Sequence, residues 1–262
     1  MRITTLVLTL FHALLVCSQS LDSHSYNGIR EMQKKNYKNA IVHFEKASAT
    51  SNNKEEKLFI FANLAFSYQM EGDMNKALEY YNKALLIDSC DITLRQQRGG
   101  IYMYLDSTEK AIQDYSYILD REPSNTNALF CRAQIYANSG QFDKSRADYH
   151  VLMSIAPNDD NVHLGYARLY QKEARYNECL MLLGQLIHDN PDRAEFYIAR
   201  SDVSRELRQF ELALLDIEKA IELDHANSEY YRLQSILLEK LGKKEAAKKS
   251  RNTANMLKNR NR

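Results

Sequence analysis

Residues 126–159 read TNALFCRAQIYANSGQFDKSRADYHVLMSIAPND, and this stretch decides the fold because its pattern recurs every 34 residues. The three prolines of the sequence share that spacing: Pro123, Pro157 and Pro191. So do three tyrosines: Tyr102, Tyr136 and Tyr170. A fixed period of this length is typical of solenoids, in which repeated units stack on their neighbours.

Two columns of small residues predict that each repeat is a helical hairpin. One column contains Ala40, Ala77, Ala111, Ser145, Cys179, Ala213 and Ala247. The other precedes it by a constant interval and contains Gly28, Ala65, Gly99, Ala133, Ala167, Ser201 and Ser235. Apolar residues around the columns follow the helical period, and Gly72 and Gly140 interrupt it between two helices. Small side chains at both columns would let the two helices of a hairpin approach closely.

This motif resembles the tetratricopeptide repeat, a helix–turn–helix unit of the same length. In residues 126–159 the resemblance is carried by Arg132, Ala133, Tyr136, Gly140, Phe142, Asp148, Tyr149 and Pro157. It implies an all-α fold, a right-handed superhelical solenoid of about seven units. The expected units are 21–53, 58–91, 92–125, 126–159, 160–193, 194–227 and 228–262, with a basic capping helix at the end.

The composition excludes an intrinsically disordered chain and gives no sign of a nucleic-acid-binding protein. The chain has 262 residues, of which 44% are hydrophobic and 26% charged, so it carries enough apolar side chains to bury a core. Its formal charge of +1 provides no overall field that would attract nucleic acid. We therefore expect a folded chain that does not bind nucleic acid.

Arginine and aspartate occur together in three of the seven units, always at the same separation. The pairs are Arg98 with Asp114, Arg132 with Asp148, and Arg200 with Asp216. The other four units have neither residue type at these positions. A buried ion pair that loses one member leaves the other charge uncompensated, which favours having both or neither. We predict structural ion pairs between the two helices of each of these hairpins.

The remaining first-helix residues are expected to line the inner groove of the solenoid and to bind a peptide segment. The candidates are Phe59, Asn63, Phe66, Gln96, Phe130, Gln134, Arg168, Asp202 and Arg205. Asn and Gln side chains donate and accept hydrogen bonds, as a peptide backbone does, and phenylalanines would supply apolar pockets. The alternative is that these are ordinary surface and core positions. Some tetratricopeptide domains hold a C-terminal carboxylate, but Ser25, Thr93 and Gln97 stand where that clamp needs cations.

Residues 1–18 have the layout of a secretory signal peptide. Arg2 precedes the apolar stretch 3–17, and the chain turns polar at Ser18. An uncleaved anchor is one alternative, and acylation of Cys17 after a lipoprotein-like Leu-Leu-Val-Cys sequence is another. We expect an exported chain that is periplasmic or associated with a bacterial envelope.

The C-terminal segment 240–262 is strongly basic, with nine Lys or Arg against Glu245. This tail could contact anionic lipid headgroups or an acidic partner. The alternative, which we favour, is that the tail is a solvated cap with cations near a helix C-terminus.

No pattern of catalytic or metal-binding residues occurs in the sequence. The histidines beyond the signal segment form no HxxxH or HExxH spacing, and GxSxG and phosphate-binding loops are missing. We predict no enzyme activity, no metal and no cofactor. The sequence favours a non-enzymatic module that binds a peptide or partner protein in its groove, with a self-associating or membrane-tethered envelope scaffold as the alternative.

Overall fold

The computed structural model describes residues 22–260, so the predicted signal segment lies outside the described residues. These residues form fourteen α-helices and no strand. The described residues divide into two compact units, with the boundary between Arg121 and Glu122. An all-helical chain of about seven helix–turn–helix units, as the sequence predicts, is confirmed.

The first unit contains three hairpins. Its helices are α1 (Ser23–Gln33), α2 (Tyr37–Thr50), α3 (Lys54–Glu71), α4 (Met74–Ile87), α5 (Ile92–Tyr104) and α6 (Thr108–Leu119). The second unit contains four hairpins. Its helices are α7 (Thr126–Asn138), α8 (Phe142–Ile155), α9 (Asp160–Lys172), α10 (Tyr176–Asp189), α11 (Ala194–Glu206), α12 (Phe210–Leu223), α13 (Ser228–Lys240) and α14 (Lys244–Arg260).

Asparagine and aspartate residues define where many of these helices begin. Asn53, for example, accepts a hydrogen bond from the backbone N–H of Glu56, and Asp91 accepts one from Leu94. Such a side chain satisfies an N–H group that has no partner within the helix. Because Asn53 caps α3, that helix begins at Lys54, ahead of the unit boundary expected at residue 58.

The turn inside each hairpin uses a left-handed residue at one repeated position. These residues are Lys35, Gly72, Asp106, Gly140, Ala174, Arg208 and Gly242, with φ between 52° and 87°. Glycine adopts this conformation without the steric cost that a Cβ atom brings. The two glycines singled out in the sequence, Gly72 and Gly140, therefore mark hairpin turns.

The two columns of small residues are in contact within the hairpins, as the sequence predicts. In the first unit, a Cβ atom placed on Gly28 would lie 2.8 Å from the ring of Phe44. In the second unit, Ser145 Oγ donates a hydrogen bond to the carbonyl of Ala133 at 2.8 Å. Ser201 Oγ donates to Ala213 in the same way at 2.9 Å. Only small residues fit where the helices approach so closely.

Candidate functional site

The three predicted Arg–Asp pairs join the two helices of their hairpins. In the first unit, Arg98 Nε and Nη2 donate to the two oxygens of Asp114 at 2.8 and 2.6 Å. Asp114 is only 2% exposed, and its Oδ1 atom also accepts a hydrogen bond from Arg95 Nη1 at 3.2 Å. Burial lowers the pKa of Arg98, but the hydrogen bond and charge of Asp114 more than offset this, so the pKa rises.

Equivalent pairs occur in the second unit. Arg132 bonds Asp148 at 2.9 and 2.7 Å, and Arg200 bonds Asp216 at the same two distances. Both bonds run in parallel from one guanidinium to one carboxylate, the geometry that makes such pairs strong. Because the donors and acceptors of these side chains are directed at each other, the pairs hold the two helices of each hairpin together.

The candidate groove residues of the first unit are largely committed to packing. Asn63 is 6% exposed, and its amide donates to the Phe59 carbonyl one turn earlier at 2.8 Å. Phe59 packs edge-on against Phe44 with ring centroids 6.3 Å apart. Phe66 packs in a similar way against Tyr37 at 6.1 Å. Gln96 is half-buried.

The candidates of the second unit separate into two groups. Asp202 and Arg205, both on α11, form an ion pair with each other at 2.9 Å. Gln134 on α7 and Arg168 on α9 line one cavity. Phe130 lies beside that cavity, since its ring meets Tyr149 edge-on at a centroid separation of 6.1 Å. The structure thus brings together Phe130, Gln134 and Arg168.

The cavity measures about 280 Å³ and lies among α7, α8 and α9. Its polar lining consists of Gln134, Asn138, Tyr149, Arg168 and Lys172. Ala137, Gly165 and Leu169 complete the wall. We call it the α7–α9 cavity.

Gly165 keeps the floor of the α7–α9 cavity open. A Cβ atom at this position would lie 2.7 Å from the Tyr149 hydroxyl and 3.0 Å from Phe130. Any larger residue would therefore displace both aromatic side chains. Glycine is required here by a close approach, not by its backbone angles.

Arg168 and Lys172 give the cavity two positive charges that form no ion pair with the described residues. Within residues 22–260, no carboxylate lies within the 4.0 Å ion-pair distance of either side chain. Arg193 and Arg200 of the same unit, by contrast, are paired. Burial raises the pKa of Asp202, and the nearby positive charges, including Arg168, oppose this only in part. Asp202 forms its ion pair with Arg205 and interacts with Arg168 only at longer range.

Tyr149 supplies a protonated hydroxyl at the floor of the cavity. Burial raises the pKa of Tyr149, and the positive charge of Arg168 opposes this only in part. The phenol therefore remains a hydrogen-bond donor at neutral pH. The cavity combines two cations, two amides and one hydroxyl, a set that suits a carboxylate attached to a peptide backbone.

The basic terminal helix forms a second, more open depression. Lys248, Lys249, Asn252 and Met256 of α14 border about 370 Å³. All of its lining residues belong to α14, so no second element closes it. In the part of the chain that the structure describes, no helix is both long and apolar enough to cross a membrane. The α7–α9 cavity, with walls from three helices, is the better-defined site.

Sequence reasoning missed Asn138, Lys172 and Tyr149 as members of the site. Asn138 follows the candidate Gln134, and Lys172 follows the candidate Arg168, by one helical turn on the same face. That spacing was a usable signal. Tyr149 gave none, because its column also contains tyrosines that fill the core.

The fold and the repeats together define the class: the described residues have the fold of a tetratricopeptide-repeat solenoid, and the chain contains tetratricopeptide repeats. Residues 139–203 and residues 194–227 match tetratricopeptide-repeat families. Residues 26–121 match a family described as a domain of unknown function (DUF6340).

Solved structures share this fold. A tetratricopeptide repeat protein from Parabacteroides merdae superposes with a TM-score of 0.83 at 23% identity, covering 91% of this chain and 93% of that one. YrrB, described as a TPR protein with an unusual peptide-binding site, superposes with a TM-score of 0.50 at 19% identity, covering 69% of this chain and 92% of its own.

One curated protein is similar in sequence over part of its length. Photosystem I assembly protein Ycf3 of Prochlorococcus marinus is 30% identical over 92 residues. The alignment covers 34% of this chain and 53% of that protein, so this chain spans about half the length of the relative.

Proposed function

We propose that this protein is a non-enzymatic interaction module that binds an extended, acidic segment of a partner protein in the α7–α9 cavity. Tetratricopeptide repeats generally serve as protein-interaction modules rather than catalysts. The observation that carries the proposal is the presence of two cations without ion pairs in the described part of the chain, Arg168 and Lys172, in the lining of a cavity with walls from three helices.

The chemistry of the cavity points to a carboxylate ligand. A carboxylate can accept hydrogen bonds from the Arg168 guanidinium and from the Tyr149 hydroxyl. Lys172 adds a second positive charge about one helical turn away. The amides of Gln134 and Asn138 can pair with a peptide backbone because each amide both donates and accepts. An Asp or Glu side chain of an extended segment satisfies both requirements.

The comparisons support a peptide or protein partner in general terms. YrrB shares the fold and is described as having a peptide-binding site. The curated relative is described as an assembly protein, and assembly requires contact with other proteins. Neither description identifies the partner of this chain.

A capture experiment followed by peptide binding tests the proposal. The full chain and an Arg168→Ala/Lys172→Ala variant serve as baits in an extract of the source cells, and retained proteins are identified by mass spectrometry. A synthetic peptide from the retained partner is then titrated against both. Hydrogen bonds to charged groups contribute about 1.5–3 kcal/mol each, so the variant should bind at least about tenfold more weakly.

The matched control is Arg232→Ala/Lys240→Ala, which removes the same two residue types from another helix of the same unit. It should retain the partner. A peptide with its Asp and Glu residues replaced by Asn and Gln should bind the unaltered chain as weakly as the acidic peptide binds the cavity variant. Equal retention by all three baits contradicts the proposal. Recovery of only further copies of the bait supports the self-associating scaffold instead.

We also propose that the chain acts after export, in the periplasm or at the envelope of a bacterium. The support is the sequence of residues 1–18, a positive start followed by an apolar stretch and a polar boundary. Expression in a bacterium, cell fractionation and N-terminal sequencing should yield an envelope protein beginning at Gln19. A chain beginning at an acylated Cys17 would indicate a lipoprotein. A cytosolic chain that retains residues 1–18 contradicts export.

A further inference from the structure

Two histidines face each other across the first hairpin without hydrogen-bond partners on their inner nitrogens. His24 lies on α1 and His43 on α2, with ring centroids 6.0 Å apart and ring planes tilted by 34°. The Nδ1 atoms of both rings are buried and make no hydrogen bond. Buried polar atoms in folded proteins nearly always have a partner, so two such atoms in one place require an explanation.

The repeat register shows that these positions meet directly. His24 and His43 correspond to Arg95 and Asp114 of the third hairpin. There the two side chains are joined by a contact of 3.2 Å between Arg95 Nη1 and Asp114 Oδ1. In the first hairpin the same two positions carry imidazoles, which cannot form that ion pair. The fold therefore places two side chains that can bind metal next to each other.

We propose that His24 and His43 form a binding site for a divalent transition-metal ion of the zinc class. Neutral imidazole is a common ligand of such ions, with metal–nitrogen distances of about 2.0–2.1 Å. Adding roughly 1.2 Å from each nitrogen to its ring centroid, two rings on one ion stand at most about 6.5 Å apart. That limit applies to a linear arrangement; at the tetrahedral angle usual for zinc the centroids stand about 5.3 Å apart, so the rings would have to approach each other by about 0.7 Å from the observed 6.0 Å.

The ion would take its other ligands from solvent. Among residues 22–260, no group of three or more His, Cys, Asp or Glu side chains is arranged to hold a metal. Both histidines are only partly buried as whole residues, but their Nδ1 atoms are buried, so the rings would have to turn toward solvent for a bound ion to gain water ligands. The sequence revealed no metal motif because the two ligands belong to different helices and are far apart along the chain.

Isothermal titration of the full chain with Zn²⁺, after removal of metal with a chelator, tests this site. We expect the tightest binding event to weaken by about tenfold or more in each of His24→Asn and His43→Asn, since the loss of even an outer-shell partner costs that much. Ca²⁺, which prefers oxygen ligands, should not produce this event. Zn²⁺ should also raise the melting temperature of the unaltered chain and of neither variant.

The controls are His163→Asn and His225→Asn, which remove histidines from the second unit. Both controls should bind Zn²⁺ at the His24–His43 site as tightly as the unaltered chain does. Weaker Zn²⁺ binding by cysteines and other histidines is a background that all the proteins share. Circular dichroism in chelator establishes that each variant is folded, and His24→Leu and His43→Leu replace any variant that is not. Unchanged Zn²⁺ binding in either His24 or His43 variant, or no binding by the unaltered chain, overturns the proposal.

Discussion

Replacing Asp114 with alanine is expected to lower the free energy of unfolding of the full chain by about 2–4 kcal/mol. The reason is that Asp114 compensates the guanidinium groups of both Arg95 and Arg98 while being 2% exposed itself. Breaking a buried ion pair leaves an uncompensated charge inside the protein. Because the Arg98 side chain remains 17% exposed, water compensates part of that charge. Denaturant titration followed by circular dichroism measures the change.

Two further variants separate the ion pair from a general effect of losing an aspartate. Asp120→Ala, at an exposed position at the end of α6, should change the free energy of unfolding by less than about 0.5 kcal/mol. The double variant Arg98→Met/Asp114→Leu removes both charges and should be more stable than Asp114→Ala alone. If Asp114→Ala is as stable as Asp120→Ala, the pair contributes nothing to the fold.

Replacing Phe44 with alanine is expected to cost about 3–5 kcal/mol, because it leaves a cavity at the centre of the first hairpin. Phe44 is 0% exposed, packs against Phe59 and covers Gly28. Thermal and denaturant unfolding of the full chain measure the loss. Phe142→Ala, at a half-buried ring on α8, should be less destabilising.

The contact between Phe44 and Gly28 can be tested with the same unfolding measurements on Gly28→Ala, alone and combined with Phe44→Ala. Gly28→Ala alone should destabilise the chain by about 1–3 kcal/mol, because its Cβ atom would meet the Phe44 ring at 2.8 Å. In the Phe44→Ala background the same change should be neutral or stabilising, since the ring is gone and alanine favours helix. Additive effects of the two substitutions would show that the helix approach at Gly28 does not depend on Phe44.

Features that repeat could be predicted from the sequence. The helical hairpins, the small columns and the Arg–Asp pairing all recur at one period, so each unit supports the interpretation of the others. The last hairpin illustrates the same register with different chemistry, since Ser250 Oγ donates to Gln234 Oε1 at 2.7 Å at the position of the ion pair.

Features that depend on how deeply a side chain is buried and on what it contacts could not be predicted. The pattern places Asn63 on the first helix, but it does not reveal that its amide is satisfied by the Phe59 carbonyl within the same helix. The spacing of Lys172 and Asn138 places them on the same helix faces as Arg168 and Gln134, but it does not reveal that three helices leave a cavity there. The His24–His43 contact arises between two helices at a single place, without repetition along the chain.

Contacts between helices in each unit are local along the chain, and this has a consequence for how the protein forms. Each helix packs chiefly on the helix before it and the helix after it, as α3 does on α4 and α13 on α14. Chains whose contacts join nearby residues close small loops and fold quickly. The earlier hairpins of a unit can therefore assemble as soon as they are free to fold, without waiting for the C-terminus.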